Sequence, residues 1–167
     1  VIMLSAVQRM RLYQLEFGLT ELRLYTSVFM AWLAVLFVWF VLTVLRNRRE
    51  RFILGALLTG FGAIAFLHLL NPDAFIVRTN VARGQSALQE IPFDSRYVVS
   101  LSDDAVPQLI ASLDAMPDAD RCYVATRLLR QWSEGESPDW RTWSLSRHRA
   151  RQAVEAHADE LRGMECP

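Results

Sequence analysis

The feature that most constrains the fold is the uncharged run from Leu24 to Leu45, LYTSVFMAWLAVLFVWFVLTVL. As a helix rising about 1.5 Å per residue, this run is long enough to cross a hydrocarbon core of about 30 Å. Its apolar residues fall on every face, whereas an amphipathic surface helix would keep one polar face. The run therefore predicts a transmembrane helix.

A second apolar run, from Phe52 to Leu70, contains three glycines. Gly55 and Thr59 have the spacing of small residues that let two membrane helices approach closely. Because the connection between the two runs is short, we expect the spans 24–45 and 52–70 to form an antiparallel transmembrane hairpin.

The orientation of the hairpin is predicted from its connecting segment 46–51, which carries four arginines: Arg46, Arg48, Arg49 and Arg51. Cytoplasmic loops of membrane proteins are enriched in basic residues, so this loop is predicted to be cytoplasmic and the chain after Asn71 extracytoplasmic. Arg9, Arg11 and Arg23 flank the first span on the other side and oppose this orientation. The density of charge in the short loop favours the first arrangement.

The chain divides into three predicted parts. Residues 1–23 begin with VIMLSAV, without an initiator Met, and are expected to be the end of an upstream span and an interfacial helix. Residues 24–71 are the hairpin, and residues 72–167, dense in charge, are an α-helical extramembrane tail. We therefore predict the C-terminal part of a longer, all-α integral membrane protein. The net charge of zero gives no indication of a nucleic-acid partner.

The sequence Asn71-Pro72-Asp73 after the second span predicts the start of a helix. Asn is a favourable N-cap residue, and Pro fits the first helical position. Asp in the first turn interacts with the positive end of the helix dipole, which contributes about 0.3–1 kcal/mol. With Gly84 as the stop, the predicted helix covers Pro72 to Arg83.

Polar residues near this turn form a candidate cluster at the membrane face: Glu21, Arg23, His68, Asn71, Asp73, Arg78 and Asn80. Asp73 and Asn80 share one face of the predicted helix, and an ionisable residue near membrane depth, such as His68, is a functional candidate. The structural alternative is helix capping together with side chains that extend toward the headgroups. One histidine and one carboxylate lack the spacing of metal ligands, so no metal or other cofactor is predicted.

The tail is predicted to consist of short amphipathic helices. Asp94 is expected to cap SRYVVSL, and Ser102 to cap the helix that follows it. Pro107 fits that helix only in its first turn. Apolar residues recur at helical spacing in three stripes, namely Val106, Leu109, Ile110, Leu113 and Met116; Cys122, Ala125, Leu129 and Trp132; and Ala150, Ala153, Val154, His157 and Leu161. Trp140 and Trp143 are expected either at the membrane interface or wedging the last helix onto the tail core.

The sequence contains two cysteines, Cys122 and Cys166, both in the tail. An extracytoplasmic tail would lie in an oxidising compartment, where exposed thiols tend to pair, so a disulfide between them is one expectation. The alternative is a pair of reduced cysteines, with Cys122 packed as a small hydrophobic residue.

Four blocks, YQLEFGLTELRLYTSVFMAWL, NPDAFIVRTNVAR, YVVSLSDDAVPQL and DWRTWSLSRHRA, occur in an order that resembles bacterial membrane proteins of domain-of-unknown-function family 4173, related to family 4153. The resemblance covers roughly residues 4–152. It implies a multi-pass protein of the bacterial inner membrane with further upstream spans, but it carries over no catalytic residue. The matching positions are Gly18, Thr20, Glu21, Arg23, Asn71, Pro72, Asp73, Asn80, Asp104, Pro107, Trp140 and Arg141.

The first functional hypothesis is a non-enzymatic, membrane-anchored interaction or sensing module. Its expected partners are the lipid bilayer, the upstream spans and a protein that binds the tail. One alternative is a membrane-surface enzyme that acts on a lipid-linked or headgroup substrate, and another is part of a transporter. No nucleophile motif or glycine-rich phosphate loop supports an enzyme.

Overall fold

The computed structural model describes residues 5, 8–9, 18–44, 50–85, 93–132, 141 and 143–164. All regular structure in these residues is helical, which confirms the predicted all-α class. The helices are α1 Glu21–Val44, α2 Glu50–Leu70, α3 Pro72–Gly84, α4 Ser95–Val98, α5 Val106–Ala111, α6 Asp118–Trp132, α7 Leu145–Ala156 and α8 Ala158–Gly163, with single 3-10 turns at Asp103–Ala105 and Leu113–Ala115. The chain divides into two compact units, Val1–Pro72 and Asp73–Pro167.

The first unit contains α1 and α2, which are both long and apolar enough to cross a membrane and which pack against each other. Tryptophans of α1 lie against small residues of α2. A Cβ atom at Gly55 would come within 1.9 Å of Trp39 Nε1, whereas one at Gly60 would lie 3.6 Å from Trp32 Cζ2. The predicted close approach at Gly55 is therefore present, because the Trp39 indole takes the space of the absent side chain.

Hydroxyl and indole groups within the hairpin are hydrogen-bonded. Trp32 Nε1 donates to Thr59 Oγ1 at 3.4 Å, and Thr59 Oγ1 in turn donates to the carbonyl of Gly55 at 2.8 Å. Thr43 Oγ1 donates to the carbonyl of Trp39 at 2.7 Å. These contacts give partners to the Thr43 and Thr59 hydroxyls and to the Trp32 indole within two largely apolar helices.

The start of α1 follows a glycine in the left-handed conformation. Gly18 has φ 78°, where an L side chain would be strained. Its carbonyl accepts a hydrogen bond from Arg23 Nη1 at 2.7 Å, and the Leu24 amide donates to the carbonyl of Thr20 at 2.9 Å. Thr20 thus occupies the N-cap position of α1. The interfacial helix predicted before Gly18 lies largely outside the described residues, as do Arg46, Arg48 and Arg49.

Asn71 separates α2 from α3 in a way that the sequence did not predict. It has φ 49°, in the left-handed region, whereas N-cap residues are typically extended. A left-handed Asn or Gly is the usual way to end a helix, because its backbone departs from the helical path just after the last turn. The backbone of Asn71 therefore ends α2, and the next helix begins at Pro72 as predicted.

The two roles of Asn71 predict different mutant stabilities. If the left-handed backbone matters most, Asn71→Gly should be neutral, and Asn71→Ser should lower the free energy of unfolding by about 1 kcal/mol, the cost of a left-handed L residue. If capping matters most, Ser should replace Asn without loss and Gly should cost a few tenths of a kcal/mol. Thermal unfolding of both variants in the same detergent distinguishes the two, and a stable Asn71→Ser protein would contradict the left-handed role.

The second unit has one apolar core, which contains the five residues of the predicted 106–116 stripe. Its buried members are Val77, Val81, Val98, Ala105, Val106, Leu109, Ile110, Leu113, Met116, Val124, Ala125, Leu128, Ala150, Val154 and Leu161. Asp94 caps α4 as predicted, since its carboxylate accepts from the Tyr97 amide at 3.0 Å. Pro107 lies in the first turn of α5, the position that the sequence required.

Two of the predicted apolar stripes agree with the structure only in part. On α6, Ala125 is buried in the core and Leu129 and Trp132 pack against it as predicted, whereas Cys122 is only half-buried. Val124 and Leu128 belong to the buried face as well. The third stripe is interrupted at His157, which is exposed and separates α7 from α8. The break turns Leu161 onto the core while the histidine faces solvent.

Candidate functional site

Asp73, in the first turn of α3, is a buried carboxylate with 6% relative exposure. Its Oδ2 atom accepts one hydrogen bond from the Ser102 amide at 3.2 Å and another from the Ser102 hydroxyl. The two residues are 29 positions apart. Asp73 therefore links α3 to the turn before α5, in addition to its predicted interaction with the α3 helix end.

Ser102 has the position but not the bonding of the predicted N-cap. It precedes the 3-10 turn Asp103–Ala105 with an extended backbone, yet its side chain makes no capping hydrogen bond. The hydroxyl donates to Asp73 instead. As an N-cap, the Ser102 oxygen would accept from a backbone amide; its hydroxyl is oriented instead by donation to a buried carboxylate, which is costly to leave without donors.

The second oxygen of the same carboxylate, Asp73 Oδ1, is buried without a hydrogen-bond partner in the described part of the chain. A buried acceptor without a donor costs about 1–3 kcal/mol, and more when it is charged. Buried polar atoms without a partner are rare in native proteins, and a catalytic or binding role is one explanation for them. Among the predicted site residues, Asp73 is therefore the one best suited to a catalytic or binding role.

The other members of the predicted cluster have different environments. Asn80 is buried on the same face of α3 as Asp73, while Arg78 is exposed with its guanidinium 5.8 Å from the centroid of the Phe75 ring. His68 is exposed near the end of α2. In the second unit, Asp73 and Asn80 therefore share the buried face of α3, whereas Arg78 lies on its exposed face.

The remaining predicted residues of the first unit lie near the start of α1. Glu21 is exposed in its first turn, and Arg23 is half-buried against the carbonyl of Gly18. Asn71, also in this unit, is half-buried between α2 and α3. Their participation in a common site with Asp73 stays a prediction.

In the tail, the carboxylate that contacts another helix is that of Asp103 and not that of Asp104, the position that matches the family. Asp104 is exposed, whereas Asp103 Oδ2 lies 3.6 Å from Arg147 Nε on α7. Arg141 is exposed, and Trp140 lies outside the described residues. The sequence did not indicate a site role for Ser102, Asp103 or Arg147, because the contacts that involve them join distant parts of the chain.

Cys122 on α6 is disulfide-bonded. Its predicted partner Cys166, the second cysteine of the sequence, lies outside the described residues, so the pairing stays a prediction. Among the described residues, no group of three or more His, Cys, Asp or Glu side chains is arranged to hold a metal ion.

Replacing Asp73 should cost more than the loss of a first-turn charge. Asp73→Ala is expected to lower the free energy of unfolding by about 2 kcal/mol, because hydrogen bonds to a charged group contribute about 1.5–3 kcal/mol. Asp104→Ala is the matched control, since that carboxylate is exposed and surface changes are usually within about 0.5 kcal/mol. Chemical denaturation followed by circular dichroism measures both. Equal effects would contradict the structural role of the Asp73–Ser102 contact.

Comparison with known proteins gives a family but no activity. No curated protein and no solved structure is significantly similar to the chain. A family model described as domain of unknown function (DUF4153) matches residues 1–112, a range that includes α1 to α5 and both residues of the Asp73–Ser102 contact. Because the match covers more than half of the sequence, the chain belongs to the DUF4153 family.

Proposed function

We propose that α1 and α2 insert into the bacterial inner membrane as a hairpin and anchor residues 73–167 as an interaction or sensing module. The protein would be multi-pass, with further spans upstream, and similar to the related family 4173 that its sequence blocks resemble. Its partners would be the bilayer, those spans and a protein that binds the helical module.

The observation that carries the proposal is the surface of the hairpin. Only 6% of the most apolar stretch of each helix is buried, and large apolar side chains are exposed along both helices. They include Phe29, Phe37, Phe40, Ile53, Leu57, Phe61, Ile64 and Phe66. Leaving such a side chain in water costs about 1.5–3 kcal/mol each, so a hydrocarbon environment is the favourable one. The core helix of a soluble protein would be covered instead.

The polar atoms inside the hairpin fit the same environment. Lipid offers no hydrogen bonds, so polar groups must be satisfied within the protein. The Trp32–Thr59 contact and the bonds of Thr59 and Thr43 to helix carbonyls do this. The hydroxyls of Thr43 and Thr59 donate to carbonyls of their own helices, so they do not support the alternative of a transporter.

The orientation rests on charge and on redox chemistry. The arginines of loop 46–51 favour a cytoplasmic loop and an extracytoplasmic tail. The disulfide at Cys122 supports this, because disulfides persist in oxidising compartments outside the bacterial cytosol.

A Phe61→Arg variant tests the insertion of α2. Phe61 lies near the middle of that helix with 69% relative exposure. On a soluble surface the arginine would be tolerated, whereas at the centre of a span it disfavours insertion by about 3 kcal/mol. We expect the tail of Phe61→Arg to be on the opposite side of the membrane from that of the wild type, as a tail-fused reporter enzyme would detect. Phe61→Leu is the control, and an unchanged tail position in Phe61→Arg would contradict the proposal.

A second candidate, a membrane-surface enzyme, is favoured by one observation, the unpartnered Oδ1 atom of buried Asp73. Asp73→Asn separates the two functions, because the amide oxygen can still accept from Ser102 while the general acid or base is lost. Loss of a cellular phenotype at wild-type stability would favour the enzyme. A retained phenotype would favour the interaction module.

A further inference from the structure

The tail exposes large apolar side chains where α7 begins. Trp143 has 59% relative exposure and Leu145 has 51%. The sequence had left Trp143 either at a membrane interface or wedged against the tail core. Its exposure excludes the wedge, so the indole requires another explanation.

Helical geometry places basic and apolar residues together on the outer face of α7. Ala150 and Val154 are buried in the core of the unit. The opposite face includes Leu145, His148 and Arg149, all three of them exposed. The centroid of the Trp143 ring lies 6.4 Å from that of His148. We call these four residues, Trp143, Leu145, His148 and Arg149, the α7 surface.

The charge of this surface is not neutralised locally. Arg149 forms no ion pair with any described residue, whereas the Nε atom of Arg147 lies 3.6 Å from Asp103 Oδ2. The α7 surface therefore combines an indole and a leucine with an unpaired guanidinium. Tryptophan favours the membrane interface, and arginine can contact headgroup phosphates while its stem lies along apolar groups.

We propose that the α7 surface docks on anionic lipid headgroups. The proposal rests on the hairpin being membrane-inserted, because a chain already held at the bilayer needs little further affinity to keep a second contact closed. A stable protein interface buries about 800 Å² per partner, more than two apolar side chains supply. Anionic lipid also matches the positive charge of Arg149, because a basic side chain near the surface of such a membrane is attracted to it.

Tryptophan quenching tests the docking in the full chain reconstituted in vesicles. Subtracting the signal of Trp143→Phe from that of the wild type isolates Trp143. We expect severalfold weaker quenching of Trp143 by acrylamide, a neutral aqueous quencher, in vesicles of mixed phosphatidylglycerol and phosphatidylcholine than in phosphatidylcholine alone. High salt should reverse this protection, because the attraction is electrostatic.

Matched charge variants give the specificity. Arg149→Gln should lose the protection, whereas Arg162→Gln, the same change at an exposed arginine on α8, should keep it. Trp143 equally accessible in both vesicles would overturn the docking. Protection of Trp143 that persists in Arg149→Gln would also overturn the docking, because Trp143 would then be covered by protein and not by anionic lipid.

The same samples show whether the hairpin is inserted. Lipids with brominated acyl chains should quench Trp32 and Trp39 in the Trp143→Phe protein. Efficient quenching together with an accessible Trp143 would reject the docking and leave the anchor intact. Absent quenching would reject the anchor, and with it the docking that depends on it.

Discussion

Cys122→Ser should lower the free energy of unfolding of the helical unit by about 4 kcal/mol, the chain-entropy value for a disulfide that closes a loop of about 44 residues between Cys122 and Cys166. This is a large fraction of the stability of a small domain. The bridge stabilises the fold because it restricts the unfolded chain between the two cysteines. That segment begins in α6 and includes α8, which packs against α6.

The second cysteine provides the control. If the two cysteines pair, Cys166→Ser should cost as much as Cys122→Ser, and the double variant should cost no more than either. If Cys122 contributes by packing, Cys166→Ser should be neutral. Denaturant unfolding of the oxidised and reduced proteins measures each value, and additive losses would contradict the pairing.

The same cysteines report the orientation of the tail. In intact cells, a membrane-impermeant maleimide should label them only after mild reduction, because the tail is expected to be extracytoplasmic and bridged. Labelling only after the cells are permeabilised would place the tail in the cytoplasm and contradict the interpretation of the arginine-rich loop.

Gly55→Ala should destabilise the hairpin by about 1–3 kcal/mol, the usual cost of forcing extra atoms into a packed contact. The added Cβ would come within 1.9 Å of Trp39 Nε1, so the indole must move and its packing against α2 is lost. Thermal unfolding in detergent micelles, followed by near-ultraviolet circular dichroism of the tryptophans, measures the effect.

Gly62→Ala is the matched control, because a Cβ at that position meets no atom within 4 Å. The same change on the same helix should be neutral there, or slightly stabilising through helix propensity. Trp39→Leu should relieve Gly55→Ala in the double variant, which a double-mutant cycle detects as coupling. Equal effects of the two alanines would contradict the close approach of Trp39.

The Asp73–Ser102 contact and the last three helices fall on different sides of the boundary of the family match. Both residues fall within the matched range 1–112, while α6, α7 and α8 lie beyond it. The polar link between α3 and the turn before α5 therefore lies in the part of the chain that matches the family model. The disulfide at Cys122 and the α7 surface belong to the part that lies outside the match.

Local sequence was sufficient for several structural features. The two long helices follow from the length and composition of residues 24–45 and 52–70. The cap of α4 by Asp94 follows from a contact within three residues. The buried residues between Val106 and Met116 follow from helical spacing, because a helix turns its faces with a fixed period.

Tertiary structure decided the contacts between distant residues. Ser102 resembles a cap in sequence, but a buried carboxylate 29 residues earlier binds its hydroxyl. Among the three glycines of α2, only Gly55 lies so close to an indole that a Cβ atom would clash with it. The sequence does not reveal which residue of one helix faces which residue of the other. The sequence thus determined which segments are helical and which are apolar, since backbone preferences and hydrophobicity act locally. The partners of Asp73, Gly55 and Trp143 depended on how those segments pack, because packing joins residues that are far apart along the chain.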